Sequence, residues 1–168
     1  CGPGFKTVYG TTRSEKNFAG IEKTGAIPIA FDGETISVTL ADVLSEVTHI
    51  VQSISPDKDG DGFLNRFGDL RTLAPNLRWA GYLSTIGVYG NRDGNWVDES
   101  ASLEPISARS RERVIAERQW LDAGEALGVP VAVLRLSGIY GPGRNAFVNL
   151  ENGTARRLIK KDQIFNRI

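Results

Sequence analysis

The stretch Tyr82–Gly90, which reads YLSTIGVYG, bears most directly on the fold. It begins as an apolar strand and stops at a pair of hydroxyl residues, Ser84 and Thr85, before it leaves the strand through VYG. In an open α/β sheet, ligands bind beyond the carboxyl ends of the strands. We therefore expect Ser84 and Thr85 to face a ligand crevice.

A second segment is organised in the same way. The apolar run VAVLRL at Val131–Leu136 ends in the small and polar residues of SGIYGPG, at Ser137–Gly143. Because parallel strands end at the same edge of a sheet, this ending is expected beside the first one. The sequence therefore predicts one cleft bordered by both endings, with Ser137 and Gly138 on the side of the second strand.

The two endings together resemble the epimerase/dehydratase branch of the NAD(P)-dependent short-chain dehydrogenase/reductases, and look closest to its atypical, YeeZ-like members. The resemblance covers roughly residues 5–168. It implies a Rossmann-type α/β fold, a doubly wound parallel sheet with helices on both faces, and one dinucleotide-binding domain over residues 1–168. Related proteins continue with another strand and a substrate-binding portion, so we expect both ends of the fold to be incomplete.

Composition agrees with one globular domain and narrows the partners. The chain has 168 residues, of which 40% are hydrophobic, and its twenty basic residues balance twenty acidic ones. This balance lacks the electrostatic signature of a nucleic-acid-binding protein. No apolar run approaches the roughly 20 residues that cross a bilayer. Cys1 is a single cysteine and no signal peptide is visible, so we expect a cytoplasmic protein without a membrane partner.

Short apolar runs alternate with helically spaced segments, as in a parallel sheet covered by helices. The predicted strands span 6–11, 26–31, 49–53, 79–84 and 131–136. The predicted helices are an apolar stripe over 40–47, a segment marked by 63–70 that ends before Pro75, and a long helix from the N-cap Ser107 to Leu127, stopped by Gly128.

The N-terminus does not fit this order. A dinucleotide fold needs a first strand, a glycine-rich turn and a helix that receives the pyrophosphate. Here CGPG at positions 1–4 runs almost directly into what the resemblance makes the second strand. Either the chain departs from the fold, or a segment is absent between Gly2 and Phe5. We expect the second, with Gly2 as a remnant of the turn.

The end of the first predicted strand bears on the cofactor. NAD sites place an acid there for the ribose hydroxyl, whereas NADP sites use an Arg for the 2′-phosphate. The residues are Thr11, Thr12, Arg13 and Ser14, with no acid before Glu15. Since the Arg13 fork suits a phosphate, we predict NADP over NAD. The alternative is a solvated Arg13 with Ser14 capping the next helix.

A polar loop follows the strand at 49–53. The segment DKDGDG at 57–62 imitates half of a calcium loop, but Gly68 stands where a bidentate Glu is required. We therefore interpret the loop as a cover over the cofactor, with Ser53 and Ser55 near the ribose or nicotinamide, and we predict no metal site.

The resemblance also implies a catalytic pattern, which this chain changes. In the family, a Tyr and a Lys four residues later project from the long helix, and a nearby Ser or Thr binds the substrate oxygen. Thr85 aligns with that hydroxyl, whereas Arg109 and Arg113 align with the Tyr and Lys. Arginine does not release its proton near neutral pH. Arg109 therefore cannot act as the usual acid or base, and we expect it to orient or charge-stabilise an oxyanion instead, with Arg113 at the Lys position.

Other side chains are weaker candidates. Tyr89 and Tyr140 lie just beyond strand ends and are alternative proton donors, although packing explains them at least as well. His49 begins a strand far from the crevice and is interpreted as structural. The tryptophans are interpreted as core or loop-anchoring residues: Trp79, Trp96 and Trp120.

Two classes of function remain open. One is an NAD(P)-dependent oxidoreductase, epimerase or dehydratase whose small-molecule substrate resembles a nucleotide sugar. The other is a non-catalytic dinucleotide-binding protein with a structural or regulatory role, which the loss of Tyr and Lys permits. In either class, a second copy of the chain is a candidate partner in a homodimer.

Overall fold

Strands and helices alternate through the computed structural model, which describes Gly4 and residues 6–156. The strands are β1 (Tyr9–Thr12), β2 (Ile27–Ala30), β3 (His49–Gln52), β4 (Trp79–Thr85) and β5 (Val131–Leu136). The helices are α1 (Phe18–Glu22), α2 (Val38–Glu46), α3 (Gly62–Phe67), α4 (Leu70–Leu73), α5 (Ala108–Leu127) and α6 (Ala146–Glu151). Short 3-10 turns lie at Glu15–Asn17 and Ile86–Tyr89.

The strands form two parallel sheets. β1 pairs with β2, and β4 lies between β3 and β5 in a second sheet. The β4–β5 register pairs Thr85 with Leu136, so both strands end at the same level. This architecture confirms the expected α/β class with a parallel, Rossmann-type arrangement.

A cleft separates the two sheets. Within the described ranges, β1 pairs only with β2, and β3 pairs only with β4. Residues 9–11 of one strand and 49–54 beside the other line a cavity of ≈ 360 Å³. Adjacent residues of a strand point to opposite faces, so a cavity that contacts consecutive residues runs along the strand edges. We call this cavity the inter-sheet cleft.

Helix α5 covers one face of the three-stranded sheet. The Ser107 hydroxyl accepts a hydrogen bond from the Ser110 backbone N–H, and Gly128 ends the helix with φ = 70°. These caps confirm both predicted helix ends. A Cβ on Gly124 would lie 2.7 Å from the Val129 carbonyl oxygen, so only glycine allows this close approach to the segment before β5.

Two groups of buried side chains fill the interior. The larger group lies between α5, α3, α4 and the three-stranded sheet, and consists of Leu64, Leu70, Ala74, Leu77, Ala80, Tyr82, Ala116 and Trp120. The smaller group lies under α2 and consists of Ile29, Phe31, Leu40 and Leu44. Ile50 and Phe63 pack against both groups and connect them.

The structure corrects several local expectations. The first strand begins at Tyr9 and not at Lys6. The helical segment over 63–70 is two helices, because Asp69 interrupts it and caps α4 by accepting from the Thr72 N–H. Trp96 is fully exposed and anchors no core, since its loop packs nothing over the ring. None of the helices that the structure describes is both long and apolar enough to cross a bilayer.

Candidate functional site

The endings of β4 and β5 border one cavity of ≈ 420 Å³, which we call the crevice. Its position confirms that the two strand endings lie at a common cleft. Its lining consists of Ser53, Leu83, Ser84, Thr85, Arg113, Leu136, Ser137, Ile139 and Arg144. Gly138 follows directly in the chain and is exposed, but is not part of the lining.

Thr85 presents a hydroxyl that retains a free proton. Its Oγ1 accepts from the Gly87 N–H at 3.2 Å and thereby starts the 3-10 turn after β4. A hydroxyl that accepts one hydrogen bond can still donate its own proton. Thr85 can therefore donate to a ligand oxygen in the crevice while the backbone holds it in place.

Ser84 differs from its neighbour. Successive side chains of a strand alternate between faces, and that of Ser84 points towards α5. The residue is buried, and its hydroxyl donates a short hydrogen bond to Oε1 of Glu117. Ser84 thus borders the crevice with its hydroxyl already engaged, and its predicted contact with a cofactor stays a prediction.

Beneath the crevice lies a buried ion pair that the sequence analysis missed. Oε2 of Glu117 lies 2.8 Å from Nη2 of Arg135, and the two side chains are only 3% and 17% exposed. Arg135 Nη1 also donates to the Tyr89 hydroxyl at 2.9 Å, and the guanidinium lies 4.9 Å from the Tyr89 ring centroid. The hydrogen bonds that Arg135 donates to the Glu117 carboxylate raise the pKa of Arg135. A sequence signal existed: an arginine inside the otherwise apolar run VAVLRL requires a partner.

Arg113 connects α5 to the end of β4. Its Nη1 donates to the Leu83 carbonyl oxygen at 2.6 Å and to the Tyr82 hydroxyl at 3.3 Å. Burial raises the pKa of the Tyr82 phenol, and the positive charge of Arg113 opposes that shift. Tyr82 is fully buried, so its hydroxyl supports Arg113 and does not reach the crevice.

Arg109 and Arg113 are separated by the structure. Arg113 lines the crevice, whereas Arg109 lies one turn closer to the start of α5, is exposed and is not part of the lining. Within the described part of the chain, the Arg109 side chain has no hydrogen-bond or ion-pair partner. Of the two arginines, Arg113 is the better placed to contact a ligand near Thr85.

The residues that are predicted to bind the adenosine end of the cofactor lie at the end of β1. Thr12 Oγ1 accepts from the Asn17 side chain at 3.0 Å, and Ser14 caps the following turn by accepting from the Lys16 N–H. Arg13 is exposed, and the described residues offer its side chain no partner. Ser14 therefore has the capping role of the alternative interpretation, while Arg13 remains free for a phosphate. Thr11 lines the inter-sheet cleft.

Only part of the polar loop after β3 contributes to the lining of the two cavities. Ser53 lines both the inter-sheet cleft and the crevice, whereas Ser55 is exposed and lines neither. Asp61 is buried and caps α3, accepting from the Leu64 N–H at 2.9 Å and from the Gln52 side chain at 3.3 Å. In the described ranges no three His, Cys, Asp or Glu side chains are grouped as metal ligands. Gly2 lies outside the described residues.

The alternative proton donors lie in opposite environments. Tyr89 is 9% exposed and lies against Arg135, whereas Tyr140 is 84% exposed in the loop after β5. Neither tyrosine lines the crevice.

His49 begins β3, and its Nδ1 lies 2.9 Å from the Thr48 hydroxyl.

Comparisons with known proteins bear on the fold. No protein-family model matches the chain. A functionally unknown conserved protein from Silicibacter pomeroyi is 44% identical, with a TM-score of 0.81 over 96% of this chain and 55% of its own. A curated sequence, an uncharacterised UDP-glucose epimerase of Bacillus subtilis (strain 168), is 33% identical over 61 residues, which are 36% of this chain and 19% of that protein.

Two solved structures are similar at low sequence identity. The UDP-glucuronic acid 4-epimerase of Bacillus cereus in complex with NAD has a TM-score of 0.61 at 18% identity, over 86% of this chain and 53% of its own. The dTDP-glucose 4,6-dehydratase of Bacillus anthracis in complex with NAD has a TM-score of 0.64 at 22% identity, over 83% and 49%. The chain therefore spans about half the length of these proteins and shares their Rossmann-like fold.

Proposed function

We propose that the protein binds a nicotinamide dinucleotide at the carboxyl ends of its strands and acts on a nucleotide-sugar-like substrate as an oxidoreductase, epimerase or dehydratase. The observation that carries this proposal is the crevice, where Thr85 and Ser137 meet at the ends of two neighbouring parallel strands. In parallel α/β sheets this edge is the usual place of a ligand. The matched proteins of this fold that are named as NAD complexes add support.

The residues at this edge fit the two ends of such a cofactor. The hydroxyls and the free guanidinium over 11–14 would hold the adenosine end, with Arg13 on the 2′-phosphate of NADP. Ser53 lies between the two cavities and would contact the nicotinamide side, together with Ser55, Ser84, Ser137 and Gly138. A bound dinucleotide would supply or accept a hydride there.

We also propose that the inter-sheet cleft receives a parallel strand that precedes the glycine-rich turn of the dinucleotide site. Its support is that residues 9–11 and 50–54 line the same cleft and that no strand pairing joins β1 to β3 within the described residues. Hydrogen exchange tests this on the full-length protein: the amides of β1 and of residues 50–52 that face the cleft should be protected from exchange. Rapid exchange of those amides would contradict the strand.

The side chains of this crevice favour orientation over proton transfer. Thr85 would donate to the reacting oxygen of the substrate, and Arg113 would stabilise negative charge that develops there. Arg109 would add a more distant positive charge. No Asp, Glu, His or Tyr lies in the described lining, so a proton would come from water or from the substrate.

A second candidate function is non-catalytic dinucleotide binding. The observation that favours it is the same absence of an acid in the described lining. The predicted alignment of Arg109 and Arg113 with the Tyr and Lys of the family would agree with it. Product formation from carbonyl and nucleotide-sugar substrates, followed by chromatography together with nicotinamide absorbance, decides between the two, because an epimerase or dehydratase returns the hydride to the substrate and leaves no net change in absorbance. Dinucleotide binding without turnover of any substrate would favour the second candidate.

Variants of Arg109 and Arg113 test the roles of these two residues in the same assay. If Arg109 stabilises an oxyanion, Arg109→Ala should reduce turnover by roughly 100-fold, and an unchanged rate would exclude this role. Restoring the family pair by Arg109→Tyr with Arg113→Lys should raise or create activity, because the Lys charge would stabilise a phenolate one turn away.

The cofactor preference is tested at Arg13. We expect Arg13→Ala to weaken NADP binding by about 1 kcal/mol, or roughly fivefold, and to leave NAD binding unchanged. Titration calorimetry with both dinucleotides measures the effect. Arg118→Ala is the matched control, since Arg118 is an exposed arginine whose ion-pair partner among the described residues is Asp122 on α5. Equal losses for NAD and NADP would contradict the NADP assignment.

A further inference from the structure

The charge of the crevice is unbalanced. Its described lining contains two guanidinium groups, Arg113 and Arg144, and no carboxylate. The nearest buried acid, Glu117, is already paired with Arg135. Two positive charges in a partly enclosed cavity repel each other, and an anion placed between them would remove that repulsion.

Two donor atoms of Arg113 have no hydrogen-bond partner among the residues that the structure describes. Its hydrogen bonds to Leu83 and Tyr82 both use Nη1. This leaves Nε and Nη2, which form the side-on edge of the guanidinium fork. Neither of these two atoms belongs to the buried polar side-chain atoms that lack a hydrogen-bond partner. That edge matches two oxygens of a carboxylate or a phosphate.

Arg144 approaches the crevice from the loop after β5. Its backbone is held by reciprocal hydrogen bonds with Gly141, each of 3.0 Å, and Asn145 caps α6 directly after it. The Arg144 side chain is exposed, and no described residue pairs with it. Among the described residues, the loop thus adds a second unpaired positive charge to the lining, to which Thr85 and Ser137 also contribute hydroxyl groups.

We propose that the crevice recognises a substrate that carries an anionic group, a carboxylate or phosphate, beside the oxygen bound by Thr85, and that Arg113 and Arg144 hold this group. The inference rests on the proposed function, because it places the reacting end of the substrate in the crevice beside the nicotinamide of the bound cofactor. It narrows the substrate from nucleotide-sugar-like compounds in general to those with an acidic group at the reacting end. A neutral sugar ring would leave both guanidiniums unneutralised.

The first test uses inorganic phosphate as the probe and the full-length protein. NMR signals of arginine Nε–H groups are followed as phosphate is added, without and with saturating NADP. We expect the Arg113 signal to respond in both conditions, and Arg144→Gln to weaken phosphate binding about tenfold. No response of Arg113 would overturn the inference. A response that saturating NADP abolishes would also overturn it, because the arginines would then hold phosphates of the cofactor.

Matched variants separate the site from general charge. Arg144→Gln is not expected to disturb folding, since its side chain has no partner among the described residues, and Arg113→Lys keeps the charge of Arg113 without its fork. Both should weaken phosphate binding, whereas Arg118→Gln on the exposed face of α5 should not. An equal loss in all three variants would show unspecific attraction and contradict the site.

The second test uses UDP-glucuronate and UDP-glucose, which share a diphosphate and differ in the sugar carboxylate. The wild type should bind the acid about tenfold more tightly, and Arg113→Lys and Arg144→Gln should reduce this preference. Equal binding of both sugars, or a preference that survives both variants, would overturn the inference. A protein that binds phosphate in this arginine-dependent way but binds no dinucleotide would contradict the proposed function and leave the anion site intact.

Discussion

The two sheets of this protein are stabilised to different extents. The three-stranded sheet has a twenty-residue helix on one face, a central strand paired on both sides and a fully buried Tyr82. The two-stranded sheet pairs over four residues and packs against α1 and α2, and its core group has four buried apolar side chains among the described residues. Local stability follows buried apolar contacts and protected hydrogen bonds. The crevice therefore lies on the more stable, three-stranded sheet. The residues predicted to bind the adenosine end of the cofactor lie on the less stable, two-stranded sheet.

This difference suits the proposed roles. Groups that orient a reacting atom must be held closely, and Thr85 and Arg113 belong to the firmer region. The residues over 11–14 need only hold the far end of an extended cofactor. They can therefore lie on a smaller sheet without loss of precision at the crevice.

The largest expected effect is at the buried ion pair of the firmer sheet. Glu117→Gln should destabilise the protein by about 3–5 kcal/mol, because it leaves Arg135 buried without a counter-charge. Urea unfolding measures the loss, and Glu125→Gln on the exposed face of α5 is the control. A loss below about 1 kcal/mol would mean that the ion pair does not hold this region together.

An intermediate effect is expected in the weaker sheet. Leu40→Ala should remove about 2–5 kcal/mol of local stability, because Leu40 is one of the four residues of the smaller core. Hydrogen exchange should show faster exchange of β2 amides, with the amide of Tyr82 in β4 little changed. If amide exchange became faster to the same extent in both sheets, Ile50 and Phe63 would couple the sheets into one cooperative unit. The two sheets would then not differ in local stability.

The smallest effect concerns Tyr82 and depends on pH. Burial raises the pKa of its phenol above the ordinary value of 10.0. The unfolded chain therefore loses this proton first, and stability should fall as pH rises above about 10, by at most about 1.4 kcal/mol per pH unit. Below pH 10 the phenol is neutral in both states and contributes no pH dependence.

Tyr82→Phe checks this assignment. The variant should lose about 1 kcal/mol at neutral pH, through the hydrogen bond from Arg113, and should show a flatter decline above pH 10. Tyr140→Phe serves as the control, because Tyr140 is 84% exposed. An identical alkaline decline in the wild type and Tyr82→Phe would show that other groups cause it.

Local rules were sufficient for much of the fold. The caps Ser107 and Gly128 define α5, and the run VAVLRL defines β5, because each signal acts within a few residues. The meeting of the two strand endings also followed from the sequence, since parallel strands end at one edge. The break between α3 and α4 was missed, because the apolar spacing continues across the point where Asp69 begins a new helix.

By itself, the sequence determined the parallel α/β order and the position of the crevice at two strand ends, and it placed two arginines, Arg109 and Arg113, one turn apart on the long helix. Only the tertiary structure decided which hydroxyl faces the crevice, that Glu117 neutralises Arg135, and that Arg113 and not Arg109 lines the cavity. The reason is physical. Helix caps and strand runs are set by neighbours in sequence, whereas the environment of a charge depends on side chains from distant segments that packing brings together.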